Sequence, residues 1–153
     1  MEPTKYFEDI RSRFVGYSII YTRLVTNSLI LYIDCEPGDK SGFTIWFSPT
    51  WHVKGANGVL VGSRQVQTDE DDNGTEAFER GAESLLELRN KKILSLEIES
   101  LTYDLHLRLD SDFWVKTFVS DPSDEESWYI RDITNKTKLI GSPHGLRLSQ
   151  LRE

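Results

Sequence analysis

Two stretches of the chain alternate between apolar side chains and other side chains. One covers residues 28–35 and the other covers residues 104–110. The alternating apolar positions are Leu29, Leu31 and Ile33 in the first stretch, and Leu105, Leu107 and Leu109 in the second. A period of two places each set on one face of a β-strand. Both stretches are therefore predicted to be strands that turn one face toward a hydrophobic core.

These two strands belong to a longer internal repeat of the sequence. Residues 29–34 match residues 105–110 at an offset of 76. Further matches follow in the same order along the chain: Ile20 with Leu96, Val25 with Leu101, Thr26 with Thr102, Trp46 with Phe118, Trp51 with Trp128, and Leu60 with Leu139. The differences in offset fall where loops are expected. We therefore predict a single domain, residues 1–153, with two similar parts at about 14–66 and 90–148.

The predicted elements of the two parts correspond one to one. Strands are expected at 17–25, 28–35, 43–48, 51–53 and 59–66, and again at 93–100, 104–110, 113–120, 127–132 and 138–140. A first helix is expected over 4–14, with Pro3 at its start and Gly16 at its end. An acidic loop and a second helix, over 75–89 with Thr75 as N-cap, would fill the connection 67–89. The predicted fold class is α+β, predominantly antiparallel β, with two internally duplicated β-meander halves, an N-terminal helix and a connecting helix.

The outward faces of the two parts differ. His106 and Arg108 occupy positions that Ile30 and Tyr32 occupy in the first part. The first part therefore has a second apolar face that needs cover. A helix packed on this face is one interpretation. A homodimer or partner surface is the other, and its residues would be Tyr17, Ile19, Tyr21, Ile30 and Tyr32.

Charge narrows the classes of partner. The chain has 25 acidic and 18 basic residues, which gives a net charge of −7. This balance disfavours nucleic acid and anionic membranes, which bind basic stripes. It permits a basic protein partner that is attracted over a distance. The single cysteine, Cys35, can form neither an internal disulfide nor a thiolate metal cluster. Because no signal segment or membrane span is evident, a cytoplasmic location is expected.

Two acidic segments are candidate partner-binding sites. The first segment, residues 67–75, also matches the first ligand positions of a calcium-binding loop. However, the twelfth position of such a loop requires a bidentate carboxylate, and the residue there is Arg80. The second, residues 121–126, is an insertion relative to the first part, and such loops often carry function. Both can equally be loops kept in solution by charge. The predicted partner-binding residues are Asp69, Glu70, Asp71, Asp72, Asp124, Glu125 and Glu126.

Other chemical motifs are better explained by local structure. Asp110 and Asp112 have the spacing of a carboxylate metal pair, but tight turns favour aspartate for backbone reasons. Ser142 and His144 lie close in sequence, yet no helix is predicted to form the strained elbow that a serine nucleophile uses. The three histidines lack the spacing of a helical metal pair. No catalytic residue, no metal and no cofactor is predicted.

Four segments of the second part resemble a class of small bacterial β proteins built from two repeats. They read Leu-x-Leu-x-Leu-Asp at 105–110, Phe-Trp-Val at 113–115, Glu-Glu-Ser-Trp-Tyr-Ile at 125–130 and Gly-Ser-Pro-His-Gly-Leu at 141–146. The resemblance covers most of residues 14–148. Some members are similar to immunity proteins encoded beside polymorphic or contact-dependent toxins. The resemblance implies a cytoplasmic, non-enzymatic and often acidic protein, and it assigns no functional residue.

Three functional hypotheses follow from these observations. The first is a non-enzymatic protein-interaction module, of the immunity type, that neutralises a basic toxin. The second is a small-molecule-binding domain or an enzyme with a site between the two halves. Its polar residues would be His106, Arg108, Asp110 and His144. The third is a homodimeric structural protein that associates through the apolar face of the first part.

Overall fold

The computed structural model describes residues 1–66, 72–119 and 121–151, with the side chains of 72–75 left aside. Helix α1 spans Pro3–Phe14, and helix α2 spans Asp72–Ser84 and continues as a 3-10 turn at Leu85–Leu88. The strands of this described part are β1 (Ile19–Val25), β2 (Ser28–Ile33), β3 (Phe43–Phe47), β4 (Trp51–Gly55), β5 (Gly58–Gly62), β6 (Ile93–Ile98), β7 (Leu105–Leu109), β8 (Trp114–Thr117), β9 (Trp128–Asp132), β10 (Thr137–Ser142) and β11 (Gly145–Gln150). Every strand pairing is antiparallel, so the predicted fold class is confirmed.

The strands form two sheets, and each sheet takes strands from both halves of the chain. The six-stranded sheet has the order β1-β2-β3-β9-β10-β11, and the five-stranded sheet has the order β5-β4-β8-β7-β6. The first three strands of each half therefore share a sheet with the later strands of the other half, which are β9, β10 and β11 in the larger sheet and β4 and β5 in the smaller one. The sequence pattern did not reveal this exchange, because alternation identifies strands without identifying their neighbours.

The two halves meet at a point of approximate twofold symmetry. A backbone bridge joins Ser18 to Lys92, which lie 74 positions apart. Two pairs of mirrored hydrogen bonds flank this bridge. They run from Gly16 N to Ile93 O (2.9 Å) and from Asn90 N to Ile19 O (2.6 Å), and from Ile93 N to Tyr17 O (2.8 Å) and from Ile19 N to Lys91 O (2.9 Å). The repeat seen in the sequence is thus a repeat of backbone geometry.

Two buried tryptophans hold equivalent places in the two halves. The indole nitrogen of Trp51 donates to the carbonyl oxygen of Asn27 at 2.8 Å. The indole nitrogen of Trp128 donates to the carbonyl oxygen of Tyr103 at 2.7 Å. Both side chains are almost wholly buried. Each indole ties the start of its strand to a loop, so the predicted correspondence of the two residues is also a correspondence of contacts.

The strand registers correct one part of the predicted alignment. Leu96 pairs with Leu107, whereas in the first half Thr22 pairs with Leu31. Leu96 therefore corresponds to Thr22, and the predicted match to Ile20 is wrong by two residues. The physical reason is the loop between β6 and β7, which is longer by two residues than the turn between β1 and β2. The predicted match of Val25 to Leu101 fails with it, because Val25 pairs with Ser28 as Glu99 pairs with Asp104. The match of Thr26 to Thr102 agrees with the equivalent indole contacts to Asn27 and Tyr103, which keep the offset of 76.

The third strands are corrected in the same way. Val115 pairs with Leu107 as Ile45 pairs with Leu31. The outward residue that follows Ile45 is Trp46, and its counterpart is therefore Lys116. The predicted match of Trp46 to Phe118 is wrong, because the hairpin between β7 and β8 is shorter than the alignment assumed.

One hydrophobic core lies between the sheets and under both helices. Phe7, Ile10 and Phe14 of α1 are buried, and α1 packs against β6 of one sheet and β10 and β11 of the other. Helix α2 and its 3-10 turn pack against β1 and β5 in the equivalent way. Each helix therefore bridges an edge strand of one sheet and strands of the other, which places apolar side chains of both elements out of water.

Several predicted boundaries also change. Gly16 has a φ of +90° directly after α1, in agreement with its predicted role at the helix end. Helix α2 begins at Asp72, so Thr75 lies within the helix and is not its N-cap. Strand β11 was not predicted, because the last strand expected from the sequence ended at residue 140. Ile19, predicted on an outward apolar face, points into the core and is fully buried.

Candidate functional site

The outward face of the five-stranded sheet carries most of its charge on three neighbouring strands. Strand alternation turns Val53, Leu107 and Val115 inward, where they are fully buried. The intervening residues of β4, β7 and β8 therefore point to solvent. We call this set the cationic face: His52, Lys54, His106, Arg108, Trp114 and Lys116.

Strand register arranges the cationic face in two rows. In one row His52 and His106 lie on either side of Lys116. In the other row, Lys54 and Arg108 lie on either side of Trp114. Directly opposed residues of an antiparallel pair have Cβ atoms about 4.5–5.5 Å apart, so the members of each row are immediate neighbours. The face is continuous across three strands.

Trp114 organises the cations around it. The Lys116 Nζ lies 4.8 Å from the centre of the Trp114 ring, and the Arg108 Cζ lies 5.5 Å from the ring centre. A cation within about 6 Å of an indole centre is attracted to the ring. The ring therefore restrains two long side chains that would otherwise sample many rotamers. At the edge of the face, the rings of His52 and Phe118 lie 4.5 Å apart, and Phe118 is 41 % exposed.

The three permanent cations of this face have no carboxylate partner among the described residues. Lys54, Arg108 and Lys116 form no ion pair there. Glu97 pairs with His106 in the strand register and accepts a hydrogen bond from Arg11 at 2.9 Å, and the carboxylates of Asp104 and Glu99 are also near His106. Although the chain has a net charge of −7, none of these three cations contacts a described carboxylate closely enough to form an ion pair.

The two histidines of the face are held toward their neutral form. Burial lowers the pKa of His52, and the positive charges of Lys116 and Lys54 lower it further. Burial and Lys116 also lower the pKa of His106, against the opposing effect of Asp104, Glu99 and Glu97. Both imidazoles are therefore mostly neutral near pH 7 and gain their charge at lower pH.

The equivalent positions of the six-stranded sheet carry different chemistry. The counterparts of His52, Lys116 and His106 are Tyr129, Trp46 and Ile30. The rings of Trp46 and Tyr129 are stacked, with centres 5.2 Å apart, and the Lys138 Nζ lies 4.0 Å from the Tyr129 ring centre. Ile30 is buried although it points outward. This outer face is covered by its own side chains, whereas the cationic face remains polar and open.

The predicted acidic residues lie elsewhere. Asp69, Glu70 and Asp71 are outside the described residues, and Asp72 is the first residue of α2. Asp124, Glu125 and Glu126 lie in the loop between β8 and β9. There the Glu126 carboxylate contacts the Lys138 Nζ at 3.4 Å and an Arg147 nitrogen at 3.5 Å. Glu125 is exposed and has no ion-pair partner in the described part of the chain.

The residues suggested for a site between the halves do not converge. His106 and Arg108 lie on the cationic face, and Asp110 follows them in a 3-10 turn with a buried carboxylate oxygen that lacks a hydrogen bond. His144 lies in the turn between β10 and β11, where its backbone N–H donates to the Ser142 hydroxyl at 3.1 Å. The interior between the sheets is filled by apolar side chains, with Trp51 and Trp128 the largest.

Sequence reasoning found only part of this face. It identified His106 and Arg108 as outward residues, but it did not connect them with the same alternation at 52–54 and 114–116. A period-two search for basic and aromatic residues would have found all three short segments. Their proximity could not be found in that way, because it depends on the pairing of β4 with β8 across the two halves.

Comparison of the chain with protein-family models, curated proteins and solved structures found no match. Within the described residues, no group of three or more histidine, cysteine or acidic side chains is placed to hold a metal ion. No helix of the described residues has the length and apolar character needed to cross a membrane.

Proposed function

We propose that this protein is a non-enzymatic protein-interaction module and that the cationic face is its binding surface. The observation that carries the proposal is a set of three cations without an ion-pair partner among the described residues: Arg108 and Lys116 contact the Trp114 ring, and Lys54 lies opposite Trp114 in the strand register. Tryptophan and arginine are the residue types that contribute most at the centres of protein interfaces. A set of outward side chains spread over three strands suits another protein better than a small molecule, which requires a concave site.

The resemblance to toxin-neutralising immunity proteins supports the same class of function. Such a protein acts by covering its target, so it needs a stable scaffold and a specific surface. The filled core and the two bridging helices supply the scaffold here. We propose a toxin as the class of partner on the strength of that resemblance alone, and the proposal of an interaction module does not depend on it.

A charge-reversal experiment tests the proposed surface. The tagged protein and a variant with Lys54→Glu, Arg108→Glu and Lys116→Glu would be used to capture partners from the source lysate. A control with Arg23→Glu, Lys40→Glu and Arg64→Glu makes the same change in net charge at exposed residues away from the face. We expect the control to retain the partner and the first variant to lose it. Retention by both variants would refute the assignment.

A basic protein is the second candidate partner, and it would use the acidic loop at 121–126. The observation in its favour is the exposed Glu125 carboxylate, which has no ion pair with a described residue. Glu126 is less available because Lys138 and Arg147 already contact it. If Asp124→Lys and Glu125→Lys abolish capture while reversal of the cationic face does not, the basic partner replaces the first proposal.

A further inference from the structure

We infer that the ligand of the cationic face is an acidic segment of another protein, and that its binding strengthens as His52 and His106 become protonated. The inference rests on the proposed function, since it names the partner of the same surface. It commits to a polypeptide that bears several carboxylates.

The positive charges are spread over the sheet and do not converge on one point. Lys54 lies on β4 and Arg108 on β7, with β8 between them. Neighbouring strands are about 4.7–4.9 Å apart, so the backbones of these two residues are separated by roughly 10 Å. A single small anion cannot contact both ends of such a row together with Lys116. A segment with carboxylates at several positions can, and each contact becomes a charge-assisted hydrogen bond.

The aromatic rings favour a polypeptide over a nucleic acid. Proteins that bind single strands without sequence preference offer free ring faces on which bases stack. Here the Trp114 ring already contacts the cations of Arg108 and Lys116, and Phe118 packs against His52. The rest of the molecule carries the whole of the net negative charge, which repels a long polyanion more strongly than a short acidic segment.

The histidines add a conditional charge to the row that contains Lys116. His52 faces Lys116 on β8 and lies near Lys54 of its own strand, and both cations lower its pKa. His106 faces Lys116 on one side and Glu97 on the other, with Asp104 and Glu99 also near. Acidification protonates both rings, while the carboxylates of a ligand, with ordinary pKa values of about 4, stay mostly ionised down to about pH 5.5. The face then gains two charges against an unchanged ligand.

The test measures the binding of a fluorescently labelled polyglutamate peptide by fluorescence anisotropy at low salt. We expect saturable binding that weakens by about tenfold or more in the Lys54→Glu, Arg108→Glu, Lys116→Glu variant. The control variant with Arg23→Glu, Lys40→Glu and Arg64→Glu should bind as the wild type does. A milder variant, Arg108→Gln with Lys116→Gln, addresses the same question if the triple reversal fails to fold by circular dichroism.

The second readout is the pH dependence of the same binding. Lowering the pH from about 7.5 to about 5.5 should tighten binding by the wild type. The His52→Gln, His106→Gln variant should bind equally well at the higher pH and lose this gain. His144→Gln, on the other sheet, should keep the gain. Binding that does not change with pH in the wild type would overturn the role of the histidines.

The outcomes also separate this inference from the proposed function. If the lysate partner depends on the cationic face but the polyglutamate probe does not bind, the acidic ligand is refuted and the interaction module stands. Binding of labelled oligothymidylate in place of the peptide would refute the polypeptide ligand and make the face a nucleic-acid site. If the triple reversal affects neither partner capture nor probe binding, both the inference and the proposed surface fail.

Discussion

At Gly141 the backbone of β10 runs directly beneath the indole ring of Trp128. A Cβ atom built on Gly141 would overlap with Cε2 and Cζ2 of that ring, which is fully buried. At the equivalent Gly62, the nearest atom to such a Cβ is the carbonyl oxygen of Trp51 at 3.7 Å, an ordinary contact. The two glycines correspond in sequence and differ in the space around them, so they form a matched pair.

Substitution of these two glycines by alanine should have different effects on the free energy of unfolding. Gly141→Ala forces a well-packed indole to move, and overpacking of this kind costs about 1–3 kcal/mol in the free energy of unfolding. Gly62→Ala should change that free energy little. Urea denaturation followed by tryptophan fluorescence measures both. Equal stability of the two variants would contradict the described packing of Trp128.

The histidines of the cationic face should make stability depend on pH. Because the folded state lowers the pKa of His52 and His106, the unfolded chain binds protons first as the pH falls below about 6.5. The contribution of these groups to the free energy of unfolding is therefore lost on acidification, and it is unchanged well above that pH.

The measurement is the free energy of unfolding of the wild type and of the His52→Gln, His106→Gln variant between about pH 7.5 and about pH 5.5. We expect the variant to lose less stability across this range than the wild type does. His144→Gln serves as the control and should follow the wild type. Parallel curves for all three proteins would contradict the lowered pKa values.

At the scale of elements, a polar contact of Tyr6 joins helix α1 to the six-stranded sheet. The Tyr6 hydroxyl donates to a carboxylate oxygen of Asp132 at 2.9 Å, and Asp132 is fully buried. The same carboxylate accepts hydrogen bonds from the backbone and side-chain nitrogens of Asn135. Burial and the neighbouring Asp132 raise the pKa of Tyr6, so its hydroxyl remains a donor throughout the ordinary pH range.

Tyr6→Phe removes one donor from a buried carboxylate. Hydrogen bonds to charged groups contribute about 1.5–3 kcal/mol, so we expect a loss near the lower end of that range, since Asn135 still satisfies the carboxylate in part. Tyr21→Phe removes a hydroxyl without a described hydrogen-bond partner and should have little effect. Thermal unfolding compares the two, and a Tyr6→Phe variant as stable as Tyr21→Phe would show that the contact contributes nothing.

Alternation and helix-end residues were enough to predict most of the elements of this fold. The predicted boundaries of α1 and of β2 lie within two residues of the observed ones. Register was harder to predict, because β1 and β6 contain irregularities after Ile19 and Ile93 that no pattern of apolar residues marks. Strand β11 was missed because its segment, Gly145–Gln150, lies beyond the last strand that the repeat predicted.

The candidate site was predictable only in fragments, because it is formed by pairing between distant strands. The sequence identifies His106 and Arg108 as outward residues of one strand. It cannot bring His52 and Lys54 beside them, since those residues belong to the other half and reach β8 only through the exchange of strands. Overall charge was also a poor guide, since a chain of net charge −7 still places on one face three cations that form no ion pair with a described residue.

At the scale of the whole molecule, the exchange of strands predicts that neither half folds alone. In residues 1–66, β3 would lose its partner β9, and Ile45 and Phe47, now fully buried, would lose part of their cover. Separately expressed fragments ending at residue 66 and beginning at residue 72 should therefore be unfolded by circular dichroism.

The same two fragments should recover the native spectrum when they are expressed together, and they should elute as one complex in size-exclusion chromatography. The uncut chain is the reference for both measurements. A fragment that folds cooperatively by itself would contradict the prediction, because it would mean that the pairing between halves is not required.

The mirrored bonds around Ser18 and Lys92 have a consequence for how such a surface can arise. Two identical copies of one half, exchanging strands in this manner, would be forced to present the same side chains on both outer faces, and every substitution would appear twice. Once the halves are joined in one chain, each face can change without the other. On one outer face the rings of Trp46 and Tyr129 stack, and on the other Lys116 lies between two histidines. Covalent linkage thus permits one sheet to keep an aromatic outer face while the other sheet carries the cationic face.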